Sequence, residues 1–210
     1  MKRRIILIGF SATGKTTVGE RLAKRLGWRF VDTDQEIVRR TNKTIRDIFH
    51  GDGEEAFRAL ERKELQGAAR RQGIVVASGG GAVLVEQLRN LMERSFFVVC
   101  LEARPQTICD RLMRDKEAGV NPVAEILTRG DDAVDRISYL KQFRQPFYAI
   151  ANWTVHTDCL TPDEVVEEIV HGWTYHIRYG ERPHEPPHVD YPLGDARESD
   201  APYDTKVWHR

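Results

Sequence analysis

A parallel β-sheet covered by helices on both faces is the fold class this sequence predicts, and three observations predict it. Unbroken apolar runs recur along the chain: Ile5-Ile6-Leu7-Ile8, Ile74-Val75-Val76-Ala77 and Phe96-Phe97-Val98-Val99-Cys100-Leu101. A strand buried on both faces has no polar side to alternate with, which is the condition inside an α/β sheet. Helical stretches separate the runs, so strand and helix alternate as parallel crossover units require. A glycine-bounded turn, Gly9-Phe10-Ser11-Ala12-Thr13-Gly14-Lys15-Thr16, joins the first run to a helix with Val18, Leu22 and Leu26 on one face.

Each element follows in order. Met1 to Gly9 is a basic lead and the first strand. Lys15 to Leu26 is a helix closed by Gly27, since glycine readily takes the left-handed C′ conformation. Trp28 to Val31 is a short second strand that delivers Asp32-Thr33-Asp34 at its C-terminal end, where open α/β sheets bind ligands. Gln35 to Arg40 and Ile45 to Phe49 read as helical, and a long amphipathic helix runs from about Glu54 to Arg71. Ile74 to Ala77 is the third strand, followed by Ser78-Gly79-Gly80-Gly81 and a helix over Val85 to Glu93. Phe96 to Leu101 is the fourth strand and Arg104 to Met113 a helix. Asp115 to Gly130, polar and broken by Gly119, Pro122 and Gly130, reads as a mobile loop with one helical turn at most. Asp131 to Ala151 is a helix disturbed near Pro146. Trp153 to His156 is the fifth strand, and Pro162 to Trp173 the last helix. From about Tyr175 the prolines are scattered through charged, His-containing sequence that cannot build a core of its own. The domain reading is therefore a unit over 1–174 and an irregular C-terminal extension over 175–210.

Composition narrows the function classes. The chain has 210 residues, enough for one sizeable domain with an appendage. Lys plus Arg is 32 and Asp plus Glu is 32. That balance gives no bulk charge for nucleic acid or an anionic membrane. No apolar run approaches the roughly 18 residues of a membrane span, and Ile5 to Phe10 is too short for a signal-peptide core. Cys100, Cys109 and Cys159 lack metal-ligand spacing and read as free thiols. The expectation is a cytoplasmic monomer with a small-molecule substrate.

The turn at Gly9 to Thr16 fits the P-loop pattern G-x-x-x-x-G-K-[ST] at every fixed position. Its backbone N–H groups, from Gly9 through Ser11, Ala12, Thr13, Gly14, Lys15, Thr16 and Thr17, would cradle nucleotide phosphates at a helix N-terminus. Lys15 adds an ammonium for the β- and γ-phosphates, and the Thr16 hydroxyl is placed for Mg²⁺. The chemistry expected is phosphoryl transfer from ATP. Asp32 and Asp34, alternating on a strand end, would leave in different directions, one toward the metal and one toward an acceptor hydroxyl. Alone, such a pair also describes a solvated turn. Glu54, Arg58 and Glu61 share one helical face, so Arg58 would be held between carboxylates and aimed at a substrate carboxylate. The same spacing also describes an exposed charge ladder. The glycine run allows close backbone approach to a ligand, or is a flexible turn.

Together these pieces resemble the shikimate kinase family: the P-loop, Asp32-Thr33-Asp34, Asp52-Gly53-Glu54-Glu55-Ala56-Phe57-Arg58 with Glu61, Gly79-Gly80-Gly81, and Arg144-Gln145-Pro146-Phe147-Tyr148. They occur in the family's order and at about its spacings over residues 3–173. The resemblance implies a three-layer α/β/α domain with a five-stranded parallel sheet, of nucleoside monophosphate kinase-like P-loop architecture, with a mobile lid. It also implies ATP-dependent phosphorylation of shikimate at its 3-hydroxyl. By the resemblance, Asp34 holds the shikimate hydroxyls as base or orienter. Arg58 and Arg144 grip the carboxylate, and Gly79, Gly80 and Gly81 pack against the ring. Asp32 joins Thr16 at Mg²⁺, and Arg111 and Pro162 sandwich adenine. The residues alone reach a kinase for a small hydroxy-carboxylic acid. They leave room for another polyhydroxy acid such as gluconate, or for a weakly catalytic nucleotide-binding module. One departure stands out: the family's lid carries an Arg-Pro pair, and here the matching place reads Asn121-Pro122. Arg114, Lys116 and Arg129 flank it as alternative cations.

Overall fold

The structure is a computed structural model that describes residues 3–119 and 122–180. Five strands form one parallel sheet: β1 (Arg4–Ile8), β2 (Arg29–Asp32), β3 (Ile74–Ala77), β4 (Phe97–Glu102) and β5 (Trp153–His156), in the order β2-β3-β1-β4-β5. The chain leaves β1 toward β2 on one side, returns through β3, then crosses to β4 on the other side. A crevice opens at such a reversal, at the C-terminal ends of the strands.

The helices are α1 (Lys15–Leu26), α2 (Thr33–Thr41), α3 (Ile45–Gly51), α4 (Gly53–Ala69), α5 (Glu86–Ser95), α6 (Pro105–Glu117), α7 (Pro122–Leu127), α8 (Ala133–Arg144) and α9 (Pro162–Tyr179). The apolar runs are unbroken because each strand feeds two cores. Ile5, Leu7, Val99 and Leu101 pack on α1 and α9 through Leu22, Val166 and Ile169. Ile6, Ile8, Val98 and Cys100 pack on α4 and α5 through Leu65, Leu88 and Met92. Burial on that scale is worth about 1.5–3 kcal/mol for each large side chain, so both faces of the sheet are held against helix layers.

Two smaller cores flank the crevice. Ile37, Ile48 and Phe57 join α2, α3 and α4 on one side. Phe10, Ile108, Leu112, Ala124, Leu127 and Ile137 join the P-loop to α6, α7 and α8 on the other. Here the structure departs from the expected loop over Asp115 to Gly130. Helix α6 continues to Glu117, and α7 buries Ala124 and Leu127 in that core. The stretch is polar at most positions, but two apolar residues three apart suffice to dock a short helix. Asn121 and the stretch 181–210 lie outside the described residues.

The last helix also runs further than expected, to Tyr179 rather than Trp173. Its added turn is half-buried: His176 packs on Phe97 with ring centroids 4.9 Å apart, and Tyr175 sits 6.4 Å from Trp153. Truncation after Trp173 is therefore expected to lower Tm by several degrees, at about 2–4 °C per kcal/mol for a chain of this size. Truncation after Gly180 is expected to leave turnover within about twofold, since the sequence beyond it is aperiodic, proline-scattered and polar and builds no core of its own. Thermal melts and turnover of the two truncations check both statements. No helix of the described residues is long and apolar enough to cross a membrane.

Candidate active site

The P-loop begins where β1 ends. Gly9 has φ 137°, and a Cβ there would lie 2.3 Å from the Leu101 carbonyl oxygen, so only glycine lets the loop leave the sheet beside β4. Lys15, at the start of α1, turns back over the loop. Its Nζ donates to the carbonyls of Gly9 at 3.0 Å and Phe10 at 2.7 Å. The residue as a whole is half-buried, but the ammonium end lies deep. Burial pushes its pKa down to about 8, against the opposing pull of Asp34 and Asp32.

Asp32 closes β2 and caps α2. Its Oδ1 accepts from the backbone N–H groups of Asp34 and Gln35 at 3.0 and 3.2 Å, and its Oδ2 accepts from Thr16 Oγ1 at 2.7 Å. The helix thus starts at Thr33, and Asp34 stands in its first turn rather than on a strand end. The two carboxylates do diverge, because a cap residue and a first-turn residue point to different sides, not because a strand pleat alternates. Thr33 turns inward. Its hydroxyl donates to the Ala77 carbonyl at 3.3 Å and accepts from Gly79 N at 3.0 Å, tying the glycine run to α2.

The glycine run passes close to the acidic groups. A Cβ on Gly79 would lie 2.6 Å from Asp34 Oδ1 and 2.7 Å from Glu61 Oε1, and one on Gly81 would lie 2.9 Å from Arg58 Nη2. Those two carboxylate oxygens are buried with no hydrogen-bond partner among the described residues. Buried acceptors are ordinarily paired, so two orphans beside a bare backbone mark a place built to receive donors. Burial, with Glu61 and Asp32 nearby, lifts the Asp34 pKa to about 7. Arg58 is held as the helical spacing predicts, Nη1 on Glu61 Oε2 at 2.6 Å and Nη2 on Glu54 Oε1 at 3.1 Å. Arg144, at the end of α8, donates to the Gly80 carbonyl at 3.2 Å and lies over the Phe10 ring at 4.9 Å. Ser11 N approaches the same glycine, 3.9 Å from a Cβ built on it.

A separate cleft of about 470 Å³ opens on the outer side of the P-loop, lined by Thr13, Gly14, Thr17, Arg111 and Pro162 among others. Arg111 is anchored there, donating to the Ala12 carbonyl at 3.2 Å and to Thr157 Oγ1 and O at 3.0 and 2.7 Å. The P-loop thus borders both the polar groups around Gly79 to Gly81 and the cleft at Arg111.

A family model described as shikimate kinase matches residues 11–173. The chain belongs to the shikimate kinase family. The shikimate kinase of Thermoanaerobacter pseudethanolicus is 36% identical over 171 residues, covering 81% of this chain and 96% of that relative. The one from Symbiobacterium thermophilum is 40% identical over 167 residues, covering 79% and 93%. The solved shikimate kinase from Acinetobacter baumannii, in complex with shikimate, superposes with a TM-score of 0.72 at 30% identity, covering 83% and 94%.

Shikimate kinases use ATP with Mg²⁺, and the residues here fit both. The loop and Lys15 suit a polyphosphate. Thr16 and Asp32 offer one hydroxyl and one carboxylate, the sparse oxygen set that Mg²⁺ takes when phosphates and water complete its shell. Among the described residues no cluster of three or more His, Cys, Asp or Glu side chains stands as a competing metal cage. Three residues that matter to the arrangement were not singled out by sequence: Thr33, Phe10 and Thr157. Thr33 lies inside the Asp-Thr-Asp stretch, but nothing local tells where its hydroxyl goes. The other two act on residues far along the chain.

Proposed function

We propose that this chain transfers the γ-phosphoryl group of ATP to the 3-hydroxyl of shikimate, with Lys15, Thr16 and Asp32 at the phosphate end and Asp34, Arg58 and Arg144 around the acceptor. The observation that carries the reading is the meeting of both ends at Lys15, whose ammonium is in electrostatic reach of Asp34 as well as Asp32. Thr16 and Asp32 would hold Mg²⁺, which would neutralise charge on the phosphates. Lys15 steers the β- and γ-phosphates. Arg58 and Arg144 hold the acceptor carboxylate, and the bare backbone of Gly79 to Gly81 admits the ring. Asp34, ionised above its pKa, accepts the proton of the attacking hydroxyl. The new O–P bond forms as the bond between the γ-phosphorus and the β-bridging oxygen breaks, and ADP leaves. Arg111 and Pro162 flank the base in the open cleft.

Unpaired cysteines support a reducing compartment such as the cytoplasm. A coupled assay of ADP release with shikimate, gluconate and related acids tests the assignment. Shikimate should be preferred by orders of magnitude in kcat/KM. Preference for gluconate, or turnover of none of the acids, would overturn it.

The acceptor role of Arg58 has its own test. Arg58→Lys keeps the charge but loses the planar fork that spans Glu54, Glu61 and a third carboxylate. The shikimate KM is expected to rise about tenfold, a loss of roughly 1.4 kcal/mol, while the ATP KM stays put. Equal rises in both would remove Arg58 from the acceptor side.

A further inference from the structure

We propose that the buried Lys141–Glu102 ion pair is a positioning device for the acceptor site, clamping the face of α8 that carries Arg144 onto the end of β4. The inference rests on the reading of Arg144 as a holder of the acceptor carboxylate.

Glu102 is the last residue of β4, and its side chain is only 6% exposed. Lys141 reaches it from α8, and Lys141 is 19% exposed. The other carboxylate oxygen accepts from Cys100 Sγ at 3.6 Å. Lys141 and Arg144 stand three apart on α8, so they share one helical face. That face meets the sheet beside the P-loop, since the carbonyl of Leu101, next to Glu102, is the atom a Cβ on Gly9 would strike.

The two substrate-side arginines are held in different ways. Arg58 has two carboxylates gripping its guanidinium on its own helix. Arg144 is anchored by uncharged groups instead: the Gly80 carbonyl at 3.2 Å, the face of Phe10 and the nearby buried Tyr148 hydroxyl. Its aim depends on where the backbone of α8 lies. Helix α8 ends at Arg144, where Pro146 ends the regular hydrogen-bonding and a 3-10 turn over Gln145–Ile150 begins. A helix end is where register slips most easily. The ion pair one turn upstream fixes it. A buried ion pair adds little net stability compared with an apolar pair of like volume. Its direction-dependence, absent from apolar contacts, is what suits it to setting a register.

Steady-state kinetics on four variants, with melts of each, test the proposal. Lys141→Met is expected to raise the shikimate KM by about tenfold, within the range of coupling between neighbours in one network. The ATP KM should stay within about twofold of wild type. Lys141→Arg keeps the charge and should restore the shikimate KM. The double variant Lys141→Met with Glu102→Gln leaves no buried charge unpaired, so its Tm should recover. Its shikimate KM should remain high, because the clamp is still absent. A shikimate KM that recovers together with Tm, or one that never rises, would overturn the proposal. Arg144→Lys separates the two levels of the argument. If it leaves the shikimate KM unchanged, the role of Arg144 fails. If it raises that KM and Lys141→Met does not, only the clamp fails.

Discussion

Lys15→Ala is expected to lower kcat/KM by about 10- to 150-fold, the worth of one charge-assisted hydrogen bond of 1.5–3 kcal/mol. The loss should fall on both substrates, because Lys15 is assigned to the transferring phosphate rather than to either substrate's periphery. Its effect on stability should be the reverse of a core mutation. The pKa of Lys15 is depressed from 10.5 to about 8 by burial. A depressed lysine contributes stability present above its unfolded pKa and lost as pH falls through its folded pKa. At neutral pH that contribution is gone, and the fold carries a desolvated ammonium held by two carbonyls. Removing it should leave Tm unchanged or higher. ADP release and a thermal melt of the same preparation check the pair of outcomes. Unchanged turnover would sink the P-loop assignment, and a fall in Tm of several degrees would show that Lys15 is mainly a structural strut.

Asp34→Asn is expected to lower kcat by about 10²–10⁴-fold, the range for a positioned general base. It should also change the pH profile in a specific way. The pKa of Asp34 is raised from 3.8 to about 7, first by burial and then by Glu61 and Asp32. In wild type, kcat/KM for shikimate should therefore rise with pH to a limb near 7 as Asp34 ionises. It should fall again near 8 as Lys15 loses its charge. The residual activity of Asp34→Asn should keep the upper limb and lose the lower one. Stability has its own sign. A raised carboxyl contributes stability that is full below the unfolded pKa and lost as pH rises through the folded pKa. Asp34→Asn should thus gain Tm relative to wild type as pH goes from about 4 to 7, and hold that gain above. An acid limb that persists in the variant would assign the titration to another group.

Much of the site was legible because its motifs are local. The P-loop states its backbone geometry within eight residues, and Glu54, Arg58 and Glu61 state theirs through helical spacing. The Asp32–Asp34 pair shows the limit of such reading. The residues were recognisable, but a strand pleat was the wrong device, because the Asp32 carboxylate caps a helix that starts one residue later. The lid shows another limit. Composition over Asp115 to Gly130 reads as loop, and only the apolar pocket formed by Phe10, Ile108 and Ile137 makes a docked helix of Pro122–Leu127.

The sequence by itself determined the α/β alternation, the five strands, the P-loop and the family resemblance, since each depends on periodicity or on spacing within a few residues. The tertiary structure decided the rest. It alone brings Gly79 against Asp34 and Glu61, sets Arg144 over Phe10, pairs Lys141 with Glu102, and carries α9 to Tyr179 along Phe97 and Trp153. These are contacts between residues tens of positions apart, and sequence spacing holds no distance information at that range. The pKa values of Lys15 and Asp34 belong to the same class. Desolvation is the first cause of both shifts, and a side chain is desolvated only by the neighbours that folding places around it.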